Sequence, residues 1–348
     1  MPASIVVGGQ FGSEGKGKVA QFLARTLAAE AVVRVGGPNS GHTSLDGSPR
    51  VVLRQLPTAA ILPDVVCVIG PGSFVDPSVL IEELRITSLA PHRLMIDPHA
   101  VVIEEADRIE ERSLQFRERL GSTLTGVGAA LRRRIMRDQR IRFAADHDSL
   151  RPFVSDTSEY LRRVLVNRER IIIEGTQGFG LSNLHGSYPF VTSRDTTAAA
   201  FASEAGISPL DVDDVTMVIR TYPIRVSENS GPLPGEITWQ DVTREAGSPV
   251  PLLEYTSVTK RVRRVGRFDA AIVRRAITVN RPTRLVVNHA DYYDYAASTK
   301  GMLTQRLLSG LEGIEEKIGV RADYVGIGPE LLVERKSGVL VTTSKMAG

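Results

Sequence analysis

Cysteine, aromatic residues and surplus charge are all scarce in this sequence, and each scarcity argues against a class of protein. Cys67 is the single cysteine, so an internal disulfide is impossible, and no motif resembles a zinc cluster. Aromatic residues make up 5% of the chain, and 43 basic against 40 acidic residues leave a formal charge of only +3. We therefore expect no nucleic-acid partner, although local basic pockets for small anions remain compatible with this balance.

Long apolar runs are missing as well. None approaches the ~20 residues that a membrane-spanning helix needs, and residues 1–4 lead into a strand pattern without the features of a signal peptide. We expect no membrane partner and a cytoplasmic location, or the host cytoplasm if the chain is viral. The 348 residues contain no repeat, low-complexity tract or convincing linker, which predicts one elaborated α/β domain over residues 1–348.

Short apolar runs recur along the chain, and most end in glycine or polar residues. Continuous apolar character is typical of parallel strands that are covered on both faces. We predict such strands at residues 5–7, 32–35, 65–69, 171–173, 215–219 and 285–287. The fold class is therefore α/β, with a mostly parallel central sheet flanked by helices and a ligand site beyond the carboxyl ends of the strands.

Two charged segments are predicted to be helical. Residues 104–120 are predicted to form one helix, and residues 149–168 carry another that begins near Ser155 or Asp156. Cys67 lies inside the third apolar run, so its thiol is expected to be buried and inert.

Residues 9–18, with the sequence GQFGSEGKGK, are the most informative segment. Glycines allow the backbone to approach an anion, the following helix offers free N–H groups, and Lys16 adds a point charge. The segment is not a standard Walker A motif, because Gln10 replaces its first glycine and Gly17 follows the lysine where Ser or Thr is required. It predicts a P-loop-like phosphate-binding turn and argues against a generic switch GTPase.

Further loops carry groups suited to anions. His42, in the loop of residues 39–43, is a candidate acid or phosphate donor. Residues 121–128 offer hydroxyls and open backbone, whereas residues 192–197 fit either an anion site or a plain turn and helix cap. Arginines cluster at residues 132–137 and 260–264 without interleaved aromatics, which favours clamps for phosphate or dicarboxylate over nucleic-acid stacking.

Five ordered motifs resemble those of the adenylosuccinate synthetase family. The family's G-Q-W-G-D-E-G-K-G-K corresponds to residues 9–18 with two changes, N-A-G-H-T to residues 39–43, and E-G-A-Q-G to residues 174–178. H-G-T-Y-P-Y-V-T-S corresponds to residues 185–193, and the arginine-rich aspartate loop to residues 259–264. The resemblance runs from residue 5 to about residue 291.

This resemblance implies a two-step ligase reaction. The γ-phosphoryl group of a nucleoside triphosphate moves to the purine 6-oxygen, and the amine of L-aspartate then displaces it as phosphate. Phosphorylation is chemically reasonable because a purine oxo group is a poor leaving group. The resemblance also implies Mg²⁺, small-molecule substrates and a homodimer.

The resemblance assigns roles residue by residue. The implied catalytic residues are Ser13, Lys16, His42 and Gln177. Those implied to bind nucleotides or phosphate are Gly12, Gly15, Gly17, Lys18, Asn39, Thr123, Arg137, Thr192, Asn288, Asp291 and Gly328. Thr259, Arg261 and Arg263 are implied to bind aspartate, and Ser13 and the Gly41 carbonyl to bind Mg²⁺. Arg137 is implied to act across the dimer interface, and Asp291 to face the base of the triphosphate.

Ser13 is the departure with the largest consequence, because the family has a catalytic aspartate there. A serine hydroxyl is not an equivalent base at neutral pH. Serine at this position resembles a branch of the family from bacteriophages that use 2,6-diaminopurine in DNA. That branch implies dGMP as acceptor and N6-succinyl-2-amino-2′-deoxyadenylate as product. The alternatives are an ordinary adenylosuccinate synthetase, which uses IMP and GTP, and a non-catalytic nucleotide-binding protein.

The phosphoryl donor is predicted to be ATP or dATP, with GTP as the alternative. The family's T-K-L-D base motif appears here as residues 288–291, with its lysine lost, and Gly326 stands where the family has a later serine. Asp291 alone would still be able to accept two hydrogen bonds from a guanine edge, whereas the phage branch implies ATP or dATP.

Overall fold

The computed structural model describes residues 2–44, 50–226, 229–256 and 261–342. Its strands are, in chain order, β1 (Ala3–Gly8), β2 (Ala31–Arg34), β3 (His42–Thr43), β4 (Val52–Leu53), β5 (Val66–Ile69), β6 (Phe74–Val75), β7 (Leu94–Ile96), β8 (Val101–Val102), β9 (Ile171–Glu174), β10 (Val212–Arg220), β11 (Ile224–Arg225), β12 (Glu236–Ile237), β13 (Arg264–Gly266), β14 (Arg284–Asn288), β15 (Tyr324–Gly326), β16 (Leu331–Glu334) and β17 (Leu340–Thr342).

Ten of these strands form one sheet, in the order β17-β16-β15-β14-β10-β1-β9-β2-β5-β7. Every neighbouring pair from β7 to β15 is parallel, and β16 and β17 join antiparallel at one edge. The six strands predicted from apolar runs are present as β1, β2, β5, β9, β10 and β14. The predicted mostly parallel sheet is therefore confirmed.

Helices flank this sheet. In chain order they are α1 (Lys16–Thr26), α2 (Pro77–Thr87), α3 (Glu105–Ser113), α4 (Phe116–Leu120), α5 (Val127–Ile135), α6 (Thr157–Val166), α7 (Ala198–Ala205), α8 (Trp239–Ala246), α9 (Ala270–Asn280), α10 (Tyr295–Lys300) and α11 (Gln305–Ile318). None of the helices in the described ranges is both long enough and apolar enough to cross a membrane.

Two helix predictions have different outcomes. The cap of α6 is Asp156 rather than Ser155, because the Asp156 side chain accepts a hydrogen bond from the Glu159 N–H. The single helix predicted over residues 104–120 is wrong. Gln115 adopts a left-handed backbone with φ of 53°, which separates α3 from α4.

The core covers both faces of the sheet. Ile5 and Val7 of β1 pack on one face, in a cluster that includes Phe201 of α7, whereas Val6 packs on the other with Phe22 of α1. This alternation follows from the two-residue period of a strand. Cys67 is buried in β5, as expected, and burial raises the pKa of its thiol to about 12.

Candidate functional site

Loops that follow the central strands enclose a cavity of about 960 Å³. It lies at the carboxyl ends of β1, β2, β9, β14 and β15, the position expected for a ligand in a parallel sheet. Nearly all the residues assigned roles from the sequence line it: Gly12, Ser13, Gly15, Lys16, Gly17, Lys18, Asn39, Gly41, His42, Thr123, Gln177, Thr192, Arg261, Arg263, Asn288, Asp291 and Gly328.

Two assigned residues are not among these. Arg137 is exposed to solvent just after α5 and does not line this cavity. It therefore lies outside the cavity that its own chain forms. Thr259 lies outside the described residues.

The phosphate loop, residues 9–15, joins β1 to α1. Gly12, Ser13 and Gly15 have φ of 90°, 58° and 88°, so the chain turns through three left-handed positions before the helix starts. Glycine adopts this backbone without strain, whereas Ser13 adopts it at a cost. The turn leaves Ser13 partly exposed at the cavity wall.

Glu14 holds this turn from the inside. Its buried carboxylate accepts hydrogen bonds from the backbone N–H groups of Gln10 at 3.1 Å and Gly12 at 2.9 Å. Its other oxygen lies 2.6 Å from Lys16 Nζ. Lys16 is thus held at the cavity wall, where a phosphate can compete for its ammonium group.

Glu174, the last residue of β9, positions His42. Its buried carboxylate accepts from Arg34 Nη1 at 2.5 Å and lies 2.6 Å from His42 Nδ1. The other oxygen accepts from the N–H and the hydroxyl of Thr58 at 2.9 and 2.8 Å. His42 Nδ1 also lies 2.5 Å from Arg34 Nη1, but that group already donates to Glu174. We therefore assign the ring proton to Nδ1, facing the carboxylate, which leaves Nε2 for the cavity.

Charge in this network is set by burial and by Arg34. Burial lowers the pKa of His42 to about 4, with a second contribution from Arg34, so the ring is neutral at pH 7. Burial alone would raise the pKa of Glu174, but His42 and Arg34 outweigh it and lower this pKa to about 2. Glu174 is therefore ionised and fully paired.

A second pair of charged residues, Lys18 and Asp291, lies where α1 meets the segments that follow β14 and β15. Lys18 Nζ donates to the carbonyls of Gly328 at 2.7 Å and Leu331 at 2.8 Å. Burial lowers the pKa of Lys18 to about 7, and Asp291 opposes this shift. Burial likewise raises the pKa of Asp291 to about 6, against the attraction of Lys18.

Asn288 links this region to the phosphate loop. Its Nδ2 donates to the Glu14 carbonyl at 2.8 Å, and its buried Oδ1 has no hydrogen-bond partner. A Cβ on Gly326 would lie 1.9 Å from Oδ1, so any larger residue at 326 would force the Asn288 side chain to move.

Arg263 lines the same cavity. Its Nη1 donates to Glu254 at 2.9 Å, and Glu254 also pairs with the fully buried Arg220. Arg220 Nη1 donates to the Ser13 carbonyl at 3.1 Å. Arg261 is exposed, and no carboxylate among the described residues pairs with it.

Two further amide oxygens in the cavity lining are buried without a hydrogen-bond partner. They belong to Asn39 and Gln177, both of which line the cavity. A buried acceptor without a partner is costly unless a ligand satisfies it. This cavity therefore offers acceptors to a ligand that carries N–H groups.

Magnesium is compatible with the oxygen groups present. The described residues hold no cluster of three His, Cys, Asp or Glu side chains fit for a metal ion. Mg²⁺ commonly takes only one or two protein ligands and completes its shell with water and substrate phosphates. The Ser13 hydroxyl and the Gly41 carbonyl are hard oxygen donors of that kind, and both residues line the cavity beside Lys16.

The residues that hold the site together were not assigned roles from the sequence. They are Glu14, Arg34, Glu174, Arg220 and Glu254. Glu14 and Glu174 stand inside the recognised motifs, which was the available signal. Arg220 and Glu254 stand outside them, and no local pattern indicates that they pair.

The comparisons with known proteins agree with this geometry. The sequence profile of the adenylosuccinate synthetase family matches residues 5–145 and 141–300. The adenylosuccinate synthetase of Methanococcus aeolicus is 38% identical over 95% of this chain and 98% of its own. That of Thermococcus onnurineus is 37% identical over 95% of this chain and 97% of its own.

Two solved structures are also similar. Fully ligated adenylosuccinate synthetase from Plasmodium falciparum has a TM-score of 0.82 over 94% of this chain and 97% of its own, at 20% identity, which supports the fold alone. Succinoaminodeoxyadenylate synthetase of cyanophage S-2L, bound to dGMP and to dATP as an energy donor, has a TM-score of 0.78 at 30% identity, over 98% of this chain and 95% of its own.

The chain belongs to the adenylosuccinate synthetase family. It is therefore a carbon–nitrogen ligase of that type, which acts on small-molecule substrates with a nucleoside triphosphate and Mg²⁺.

Proposed function

We propose that this ligase joins L-aspartate to the 6-position of dGMP and forms N6-succinyl-2-amino-2′-deoxyadenylate. The observation that carries the proposal is Ser13, a hydroxyl at the cavity wall inside an otherwise intact phosphate loop. Gly12, Gly15 and Lys16 retain the geometry that a phosphate needs. A loop that had lost phosphate binding would not be expected to keep these glycines and this lysine.

Steric room supports dGMP as the acceptor. Guanine carries a 2-amino group next to N1, and hypoxanthine does not. A hydroxymethyl group at position 13 leaves space that the family's carboxylate would fill. The unpartnered oxygens of Asn39 and Gln177, which line the same cavity, supply further acceptors, and the similarity to the cyanophage enzyme also supports dGMP.

The proposed reaction proceeds in two steps. The 6-oxygen of the purine attacks the γ-phosphorus, and the bond to the nucleoside diphosphate breaks. The aspartate amine then attacks C6, and the C6–O bond breaks to release phosphate. The proton of N1 leaves through water or after phosphorylation, since Ser13 is no base at neutral pH.

The residues that line the cavity have different proposed roles in these two steps. Lys16, released from Glu14, lies where the γ-phosphoryl group passes, and His42 faces the same place. A bound phosphoryl group would raise the pKa of His42, so that Nε2 gains a proton only with substrate present. Ser13 and the Gly41 carbonyl would hold Mg²⁺, which neutralises phosphate charge. Arg261 and Arg263 bind the aspartate carboxylates, together with Thr259.

We propose ATP or dATP as the phosphoryl donor. The carboxylate that would recognise a guanine edge belongs to Asp291, whose pKa is raised to about 6 by burial beside Lys18. At pH 7 this carboxyl is still mostly ionised, so the main support for ATP or dATP is the similarity to the cyanophage enzyme, which was solved with dATP as an energy donor. GTP is the alternative, because Asp291 still lines the cavity.

The oligomeric state and domain organisation complete the proposal. Exposed Arg137 would reach the purine phosphate of the other subunit in a homodimer, which explains why it is absent from its own cavity. One domain over residues 1–348 is supported by a central sheet whose strands come from residues 3 to 342.

Phosphate release tests the proposal directly. The protein is incubated with aspartate, each of ATP, dATP and GTP, and each of dGMP, GMP and IMP. We expect the highest kcat/KM with dGMP, and the ratio of dGMP to GMP measures selection of deoxyribose. Preference for IMP and GTP would support an ordinary adenylosuccinate synthetase. The similarity to the two archaeal enzymes is the observation in favour of that alternative. Absence of turnover with every pair would support a non-catalytic nucleotide-binding protein.

Variants of Ser13 test the reason for the preference. Ser13→Asp should lower kcat/KM for dGMP by roughly 100-fold and raise activity on IMP, because the larger carboxylate would fill the space that the 2-amino group needs. Ser13→Ala is the matched control, since it keeps the space without adding charge and should retain the preference for dGMP. An unchanged dGMP to IMP ratio in Ser13→Asp would refute the steric argument.

A further inference from the structure

Glu254 lies between Arg263, which lines the cavity, and Arg220, which contacts the phosphate loop. Its carboxylate is 12% exposed and pairs with two arginines, Arg263 at 2.9 Å and Arg220. His289 Nδ1 lies 3.7 Å from the same carboxylate. The positive charge around Glu254 outweighs the effect of burial and holds the pKa of its carboxyl far below its ordinary value.

The backbone places Glu254 directly opposite Arg263. Residues 254–256 pair antiparallel with residues 261–263, through the bridge between Tyr255 and Val262. The Arg263 N–H donates to the Glu254 carbonyl at 2.9 Å. Arg263 is therefore held to Glu254 by both its backbone and its guanidinium group.

Arg220 extends this connection to the phosphate loop. It is the last residue of β10 and is completely buried, and its Nη1 donates to the Ser13 carbonyl at 3.1 Å. Its backbone exchanges two hydrogen bonds with the Gln10 side chain, at 2.9 and 3.1 Å. The Ser13 carbonyl is thus held by Arg220, whose guanidinium group pairs with Glu254.

We propose that Glu254 is a positioning residue that holds Arg263 in place for aspartate and, through Arg220, fixes the Ser13 carbonyl. This inference rests on the proposed role of Arg263 in binding aspartate. One carboxylate thereby joins Arg263 to the phosphate loop through Arg220.

Electrostatics supply the physical reason. Without the carboxylate, two guanidinium groups would face each other in a buried space, one of them with no exposure at all. Two unpaired like charges at short range repel strongly in a low-dielectric interior. The more exposed Arg263 would move, and a displacement of about 1 Å at a substrate-positioning group costs roughly 100-fold.

Glu254→Gln tests this inference. We expect the aspartate KM to rise roughly 10- to 100-fold. The KM values for purine nucleotide and triphosphate should rise much less, because the Arg220 backbone keeps its hydrogen bonds to the Gln10 side chain. Glu236→Gln is the matched control. It removes a carboxylate that pairs with the neighbouring Arg264 at 2.5 Å, but on the more exposed antiparallel sheet, and it should leave the aspartate KM unchanged.

A second variant is used if the first one does not fold. If Glu254→Gln shows no cooperative unfolding, Glu254→Asp is used, which keeps the charge but shortens the reach to Arg263. It should melt as the wild type does and still raise the aspartate KM. A wild-type aspartate KM in a folded Glu254→Gln, or in a folded Glu254→Asp when the first variant fails to fold, overturns the inference.

Arg263→Leu separates this inference from the proposed function. If Arg263→Leu leaves the aspartate KM unchanged, the assignment of Arg263 to aspartate is wrong. If Arg263→Leu raises it and Glu254→Gln does not, only the role of Glu254 is wrong. In the double variant the two effects should not add, because Glu254 acts through the arginine that has been removed. All kinetics are measured with the purine that the wild type turns over fastest.

Discussion

Replacing Glu174 with glutamine tests the buried network that holds His42. The carboxylate receives hydrogen bonds from Arg34, His42 and twice from Thr58. Glutamine has nearly the same shape, but its amide nitrogen would face either Arg34 and His42 or the two donors of Thr58. The variant therefore loses charge and at least one set of contacts, without a large change in volume.

The expected magnitude follows from the pKa of Glu174. Its fall from the ordinary 4.5 to about 2 corresponds to ~3 kcal/mol of preference for the ionised form in the folded protein. Breaking a buried ion pair by removing one partner typically costs about 3–5 kcal/mol. Both arguments predict that Glu174→Gln loses roughly 3 kcal/mol of stability at pH 7.

The same pKa fixes the pH dependence. Because the pKa is lowered in the folded state, the stabilisation is complete above pH 4.5 and is lost as pH falls towards 2. The stability difference between wild type and Glu174→Gln should therefore be constant from pH 7 to about 5 and shrink below that. Urea unfolding followed by far-ultraviolet circular dichroism measures it.

Glu174→Gln should also lower catalytic activity. Without Glu174, the Nδ1 proton of His42 loses its acceptor and the ring loses its orientation, so kcat should fall roughly 100-fold. Glu204→Gln is the control, because it removes the partner of another buried arginine, Arg194. It should lower stability and leave kcat near the wild-type value. A Glu174→Gln protein with wild-type kcat, or with unchanged stability at pH 7, would refute the reasoning.

Three further predictions address the other parts of the cavity. Arg263→Leu should raise the aspartate KM at least ~10-fold and leave nucleotide binding nearly intact; steady-state kinetics with unchanged aspartate dependence would contradict this. Mixing Arg137→Ala with Lys16→Ala subunits should restore activity through hybrid dimers, whereas no recovery after subunit exchange would place Arg137 in its own subunit. Gly326→Ser should raise the triphosphate KM roughly 10-fold, because its Cβ would lie 1.9 Å from Asn288 Oδ1; the added change Asn288→Thr should relieve the effect, and a single variant with wild-type KM would argue against this contact.

Much of the fold was predictable from the sequence because parallel strands buried on both faces must be apolar throughout. Residues 5–7 and 171–173 show this plainly, and both became neighbouring strands of the central sheet. The helix over residues 104–120 was mispredicted for an equally physical reason. Gln115 takes a left-handed backbone, and nothing in glutamine's propensity indicates that conformation.

The order of the motifs also located most of the cavity. Glycines at 12 and 15 are visible in the sequence because a phosphate turn needs left-handed positions. Since the motifs follow successive strands, their convergence at one edge of the sheet was predictable as well. The assigned roles of the lining residues remain predictions until the variants above are measured.

Only the tertiary structure decided which charges meet behind the cavity. Glu174 lies 140 residues from Arg34, and Gln10 lies 210 residues from Arg220. Such pairs leave no local period or spacing in a sequence, because their partners are brought together by the order of strands in the sheet rather than by the chain. The sequence by itself determined the phosphate turn and the strands that carry it. The buried carboxylates that hold Lys16, His42 and Arg263 in place were decided by packing, since a buried charge is stable only where the fold brings its counter-charge within reach.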